Sequence, residues 1–128
     1  MQALLDTCTL LWLVGEQSHL STRAKNLIVE ADSIGVSSIS AFEIALKHRK
    51  GRLELPLAPA EWFQKALKFH GIEEIVVSSD IAIRSVMLPP LHNDPCDRLI
   101  VATAEYHGLL ILTPDPLIRA YGVAQTEW

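Results

Sequence analysis

At 128 residues, 49% hydrophobic and 20% charged, the chain carries enough apolar material for a buried core and reads as globular, which excludes a disordered chain. Its formal net charge of -4 argues against binding nucleic acid through a basic face, unless several of the acids are ligands of a cation. Two cysteines, Cys8 and Cys96, are too few for a disulfide framework, and no apolar run approaches the ~20 residues of a membrane span, so a cytoplasmic protein without a secretory signal is expected.

In chain order, Gln2 to Leu5 predicts a short buried strand and Thr9 to Val14 an apolar helix ending near Gly15. Ser21 and Thr22 cap a helix to about Ala31, with Ala24, Leu27, Ile28 and Ala31 at helical spacing. Ile34 to Ser37 predicts the second strand. Ser40 and Glu43 form the Ser-x-x-Glu pattern of a capping box, which opens a helix to Lys50. Pro59 suits the first turn of a helix that Gly71 stops. Ile75 to Val77 predicts the third strand, and Ser78 and Ser79 cap a helix to Met87 before Pro89-Pro90. Asp94 caps the next helix, with Pro95 at its first position and Gly108 at its end. Leu109 to Leu112 predicts the fourth strand, followed by a short helix near Leu117-Ile118 and an edge strand at Val123 to Gln125. Short apolar strands alternating with helices predict one α/β domain over residues 1–128, with a mostly parallel sheet of about five strands between two helical layers.

Four acids fall where such a sheet gathers ligands. Asp6 and Asp115 follow strands, and Glu43 and Asp97 open helices that begin at the same sheet edge. If the first and fourth strands are neighbours, all four converge. A carboxylate cluster suits Mg²⁺, or Mn²⁺, which prefer oxygen ligands and retain waters. Such a centre can clamp a phosphodiester and activate a water nucleophile. Each acid also has a plainer reading. Glu43 is the third residue of the capping box, Asp97 complements a helix dipole, and Asp115 caps a short helix. Asp6 has no evident helix to cap at once.

The segment Leu91-His92-Asn93-Asp94-Pro95-Cys96-Asp97-Arg98-Leu99-Ile100-Val101-Ala102 resembles the H-x-D-P-x-D-R-x-(L/I)-x-A segment of PIN-domain proteins, particularly VapC-type toxins of toxin–antitoxin pairs. Leu4-Leu5-Asp6-Thr7 with Leu11-Trp12, Ser40-Ala41-Phe42-Glu43-Ile44-Ala45 with Lys47 and Gly51, and Leu112-Thr113-Pro114-Asp115 agree with further family segments in order. The resemblance implies an α/β/α PIN-like fold and a metal-dependent ribonuclease whose site acids are Asp6, Glu43, Asp97 and Asp115. It also implies a homodimer inhibited by a small VapB-like antitoxin. Cys8, Cys96 and Thr103 depart from the family's usual residues at their positions, which bears on the shape of the RNA path.

The supporting candidates stay open between two roles each. Thr7 and Thr113 adjoin acids and either bond to metal-bound water or satisfy loop backbone. Arg98 clamps a phosphate or a neighbouring carboxylate. His92 contacts RNA or is structural. Lys47, Arg49, Lys50 and Arg52 track the RNA backbone or form a solvated helix end. Trp12, Trp62 and Phe63 pack against a dimer mate, an antitoxin helix or the core. A zinc site from Cys8, Cys96 and His92 is disfavoured, because no closely spaced cysteine pair is present. A metal-dependent DNA nuclease and a catalytically silent module binding antitoxin or RNA are the rival functions. An aspartyl-phosphate phosphatase is excluded, since Asp6-Thr7-Cys8-Thr9 lacks the second Asp.

Overall fold

The computed structural model describes residues 1–128. Five strands form one all-parallel sheet: β1 (Gln2–Leu5), β2 (Ser33–Ser37), β3 (Ile72–Ile75), β4 (Leu110–Leu112) and β5 (Thr126–Glu127), in the order β3-β2-β1-β4-β5. Seven helices flank it: α1 (Thr7–Gly15), α2 (Thr22–Glu30), α3 (Ser38–Arg49), α4 (Pro59–His70), α5 (Ser79–Met87), α6 (Pro95–His107) and α7 (Pro116–Arg119). The chain winds outward from β1 to β3 on one side, then returns to β4 and β5 on the other. The order therefore reverses between β1 and β4, where Leu5 pairs with Leu112.

Alternation along β1 explains the two layers. Ala3 and Leu5 face one core with Val36, Leu112, Ile44 and the α4 residues Trp62, Phe63 and Leu67. Leu4 faces the other with Ile111, Ile81, Ile100 and Ile118. Side chains at i and i+2 share a sheet face, so a strand covered on both sides reads as continuously apolar. Trp62 and Phe63 are thus core residues. Trp12 packs at the edge of the same cluster, stacked on His19 with ring centroids 5.1 Å apart.

Several boundaries differ from the sequence expectation. The third strand is Ile72–Ile75, not Ile75 to Val77, and Val76 is exposed. Gly71, with φ +64°, turns the chain out of α4 so sharply that pairing with Ile34 begins at Ile72. As an edge strand, β3 tolerates its exposed Glu73 and Glu74, which hid it from a hydrophobicity reading. The last strand is Thr126–Glu127, beyond the expected Val123 to Gln125. Finally, α3 starts at Ser38 under a Ser37 cap, whose Oγ accepts from the Ile39 N–H at 3.1 Å. Ser40 is therefore inside the helix and the capping box does not form.

Candidate active site

The hollow at the carboxyl edge of β1 and β4 has a volume of about 280 Å³ and is lined by Asp6, Thr7, Cys8, Glu43, Lys47, Asp94, Asp97, Pro114 and Asp115. It is smaller than two other surface hollows, of about 690 and 780 Å³, yet neither of those gathers a carboxylate cluster. All four acids singled out in the sequence line this one space. A fifth, Asp94, joins them. Oxygens of Glu43, Asp94 and Asp97 lie within 4.8 Å of one another, as do ligand atoms of His92, Asp97 and Asp115.

Asp6 is the floor. It is 4% exposed and does cap a helix: its Oδ1 accepts the Thr9 N–H at 2.8 Å, so α1 begins two residues earlier than its apolar run suggests. Its Oδ2 accepts from the Thr113 hydroxyl. Burial pushes the Asp6 carboxyl above the usual carboxylate range, and the Thr113 and Thr9 bonds oppose that shift. Thr113 Oγ1 also accepts the Asp115 N–H at 3.0 Å, so one hydroxyl links the ends of β1 and β4.

Glu43 reaches in from the second turn of α3. Thr7 Oγ1 donates to its Oε1 at 2.6 Å and lies 2.9 Å from the buried Ser40 hydroxyl. Thr7 and Ser40 therefore orient Glu43, a role that neither the loop reading of Thr7 nor the capping reading of Ser40 anticipated. The other oxygen, Oε2, is 3.5 Å from Lys47 Nζ.

Asp94 and Asp97 come from the start of α6. Asp94 Oδ1 caps the helix by accepting the Cys96 N–H at 2.9 Å. Positions i and i+3 share a helix face, which brings both carboxyls to one side. Burial, followed by the charges of Asp94 and Glu43, raises Asp97 to about 7, while nearby His92 pulls the other way. Asp115 Oδ1 accepts the Leu117 N–H at 2.8 Å, capping α7.

His92 is part of the site. The Asp94 N–H donates to its Nδ1 at 3.2 Å, which assigns the ring proton to Nε2. Nε2 lies 2.8 Å from Asp97 Oδ2 and 3.6 Å from Asp115 Oδ2. It is sealed from solvent and makes no well-aligned hydrogen bond to either. With Nδ1 already accepting and Nε2 carrying the proton, the ring faces the acids as a donor and offers no lone pair to a cation.

Arg98 does not face the hollow's acids. Its guanidinium donates to the carbonyls of Ser85 and Leu88 at 2.8 Å and Pro89 at 2.9 Å, and to Tyr121 Oη at 3.0 Å. Tyr121 Oη accepts the His92 N–H at 3.0 Å. Arg98 thus closes the last turn of α5 and, with Tyr121, holds the loop that carries His92. This corrects the expectation of a phosphate or carboxylate clamp. The bare carbonyls at the end of a helix need such a donor.

The cysteines do not form a metal pair. Burial raises the Cys8 thiol to about 12 and the Cys96 thiol to about 11, and neighbouring carboxylates add to both shifts. Neither thiol joins the groups of side chains whose ligand atoms lie close enough to share an ion. Thr103 is fully buried and donates to the Leu99 carbonyl at 2.7 Å, so it lies off any RNA path.

The donor set fits a divalent cation that prefers oxygen. Five carboxyls converge, two of them raised by burial and mutual repulsion, and Lys47 is the only cation lining the hollow. The cluster lies at the switch point of a parallel α/β/α fold, the place where such sheets bind ligands.

The PIN-domain family model matches residues 3–123, and the chain belongs to that family. It is 33% identical over 119 residues to ribonuclease VapC22 of Mycobacterium tuberculosis, covering 92% of this chain and 90% of the relative. A toxin–antitoxin complex from Klebsiella pneumoniae contains a similar chain, with 25% identity, TM-score 0.67 and coverage of 98% of this chain and 96% of that one. VapBC2 from Rickettsia felis, bound to a DNA fragment from its promoter, shares the fold at 16% identity and TM-score 0.73, covering 100% of this chain and 99% of that one. No helix is long and apolar enough to cross a membrane.

Proposed function

We propose that this chain is a Mg²⁺-dependent endoribonuclease, with Mn²⁺ able to substitute, and the toxin of a toxin–antitoxin pair. In this reading residues 1–128 act as one PIN domain that forms a homodimer and is held inactive by a VapB-like antitoxin. The observation that carries the reading is the convergence of Asp6, Glu43, Asp97 and Asp115, with Asp94, in one hollow at the sheet's switch point. The similarity to a named ribonuclease and to chains in toxin–antitoxin complexes supports the choice of substrate class and partner.

A divalent ion held there supplies positive charge to a phosphodiester and makes water a better nucleophile. The residues divide the remaining work. Asp6, at the floor, and Asp97 and Asp115 above it would hold the ion directly or through water. Thr7 fixes the Glu43 carboxylate so that its second oxygen completes the ligand set or orients the attacking water. Thr113 keeps Asp6 from rotating away. Asp94 adds charge that strengthens cation binding, and His92 sets its Nε2 beside the Asp97 and Asp115 oxygens. Water, and not the RNA 2′-hydroxyl, would attack the phosphorus opposite the 3′-oxygen; the P–O3′ bond breaks and that oxygen leaves as the 3′-hydroxyl, so the other product carries a 5′-phosphate.

End-resolved sequencing of cellular RNA after a brief pulse of expression tests this, with Asp6→Asn beside the wild type. Discrete new 5′-phosphate ends with the wild type alone are expected, since Asp6→Asn removes a ligand charge and keeps the cap. Identical profiles from soluble, folded proteins would overturn the ribonuclease reading in favour of a DNA nuclease or a silent binding module.

A further inference from the structure

We propose that Lys47 binds a substrate phosphate flanking the scissile one, and that it takes this role by leaving Glu43 when a divalent ion occupies the acids. The inference rests on the nuclease reading above and assigns the direction in which the RNA leaves the site.

Lys47 is the only cation lining the acid hollow. Its Nζ is 3.5 Å from Glu43 Oε2, well beyond the ~2.8 Å of a tight charge-assisted hydrogen bond. Its side chain is 47% exposed and free to swing, whereas Glu43 is 14% exposed and tethered by Thr7. A divalent ion on Glu43 competes for the same oxygen and repels the ammonium. The flexible four-carbon stem lets Nζ move outward while α3 stays in place.

Outward from Lys47, positive charge continues through Arg49, Lys50 and Arg52. Arg49, Lys50 and Arg52 form no ion pair, in contrast to Arg23, Lys65 and Arg84, each of which faces a glutamate. Glu43, Lys47 and Lys50 follow one another at helical spacing, so the row extends roughly 10 Å along α3. The turn beyond it is fixed: the Arg52 N–H donates to the Lys47 carbonyl at 2.9 Å, and His48 Nδ1 lies 3.2 Å from the Leu53 carbonyl. Cations at a helix C-terminus also complement its dipole. That effect alone does not call for a cation inside the acid hollow. In a chain of net charge -4, this row offers counter-charge to a strand leaving the acids.

The test measures binding of a fluorescein-labelled single-stranded RNA of mixed sequence by anisotropy, with all five acids intact and Ca²⁺ in place of Mg²⁺ as the oxygen-ligated ion, from about 50 to about 200 mM salt. One lost phosphate contact lowers the slope of log affinity against log salt by about 0.7 for a single strand. That shift is expected for Lys47→Gln, with Lys47→Arg restoring the slope and the remote Lys25→Gln leaving it unchanged. In parallel, calorimetry of Mn²⁺ binding to the otherwise wild-type protein should show Lys47→Gln binding the ion as tightly as the parent or more tightly, because a like charge is gone. An unchanged salt slope, or Mn²⁺ affinity falling in step with RNA affinity, overturns the role of Lys47. Absence of RNA cleavage by the wild type instead counts against the nuclease reading itself.

Discussion

The protonation of Asp97 makes a prediction about stability that depends on metal and pH together. Its folded-state pKa of about 7 lies above the ordinary 3.8, so the folded protein retains a proton that the unfolded chain has released. The stabilisation from that proton is complete below 3.8 and is lost as pH rises through about 7. Asp97→Asn removes the titration, so its metal-free stability should gain on the wild type as pH rises. Between pH 5 and pH 8 about two units of the shift come into play, at most about 2.7 kcal/mol. The hollow is open to water, and screening reduces the expected gain to roughly 1–2 kcal/mol. Urea denaturation in EDTA at several pH values measures it. Saturating Mg²⁺ should reverse the order: at a hundred times its dissociation constant it adds about 2.7 kcal/mol to the wild type, roughly 10 °C in melting temperature. Asp97→Asn should gain much less. If the stability difference between the two proteins is independent of pH, or if Mg²⁺ stabilises both equally, the assignment of a repulsive, ion-binding cluster is wrong.

Two further substitutions separate scaffold from chemistry. Arg98→Lys replaces a fork that reaches six acceptors with one mobile ammonium, and should cost about 2–3 kcal/mol in denaturant unfolding through stranded carbonyls at the end of α5. A cost below about 0.5 kcal/mol would show that water replaces the clamp freely. Thr7→Val keeps the shape of the side chain but frees Glu43, so RNA cleavage should fall roughly tenfold, about 1.4 kcal/mol in barrier, with a melting temperature near that of the wild type. Unchanged cleavage would mean that Glu43 needs no tether.

The sheet and most of the helices were legible because their signals are local. Gly71 and Gly108 end α4 and α6 in left-handed conformations, Pro59 and Pro95 start the same two helices, and β1 reads as continuous apolar residues between two layers. The misreadings share one cause, that local preference loses to pairing and packing. The β-branched Val76 and Val77 looked like a strand, yet the register with β2 places Ile72–Ile75 there. Ser40 looked like a cap, yet it is buried against Thr7 across 33 residues of sequence. The four acids could be placed from the rule that parallel sheets collect ligands at their switch point. Asp94 could have been added from its i, i+3 relation to Asp97. Nothing local announces that Arg98 turns toward the carbonyls of α5, or that Tyr121 holds the His92 loop from 29 residues away.

Helix cap and ligand are not alternatives in this geometry. Asp6, Asp94 and Asp115 each use Oδ1 to accept a backbone N–H at the start of α1, α6 and α7. That bond fixes the carboxyl plane and leaves the second oxygen for the hollow or its supports. Two consequences follow. The starts of α1 and α6 point their partial positive charge at the cluster, which eases the mutual repulsion of the carboxylates while no cation is bound. The second oxygens are also pre-aimed, because rotating one inward residue away would strip a helix of its cap at a cost of about 1 kcal/mol. Aspartate suits these places better than glutamate, whose longer side chain makes a poor cap. Glu43, the one longer acid, sits in the interior of α3 with no cap to make, and it is the one that needs a hydroxyl partner from another helix to hold it.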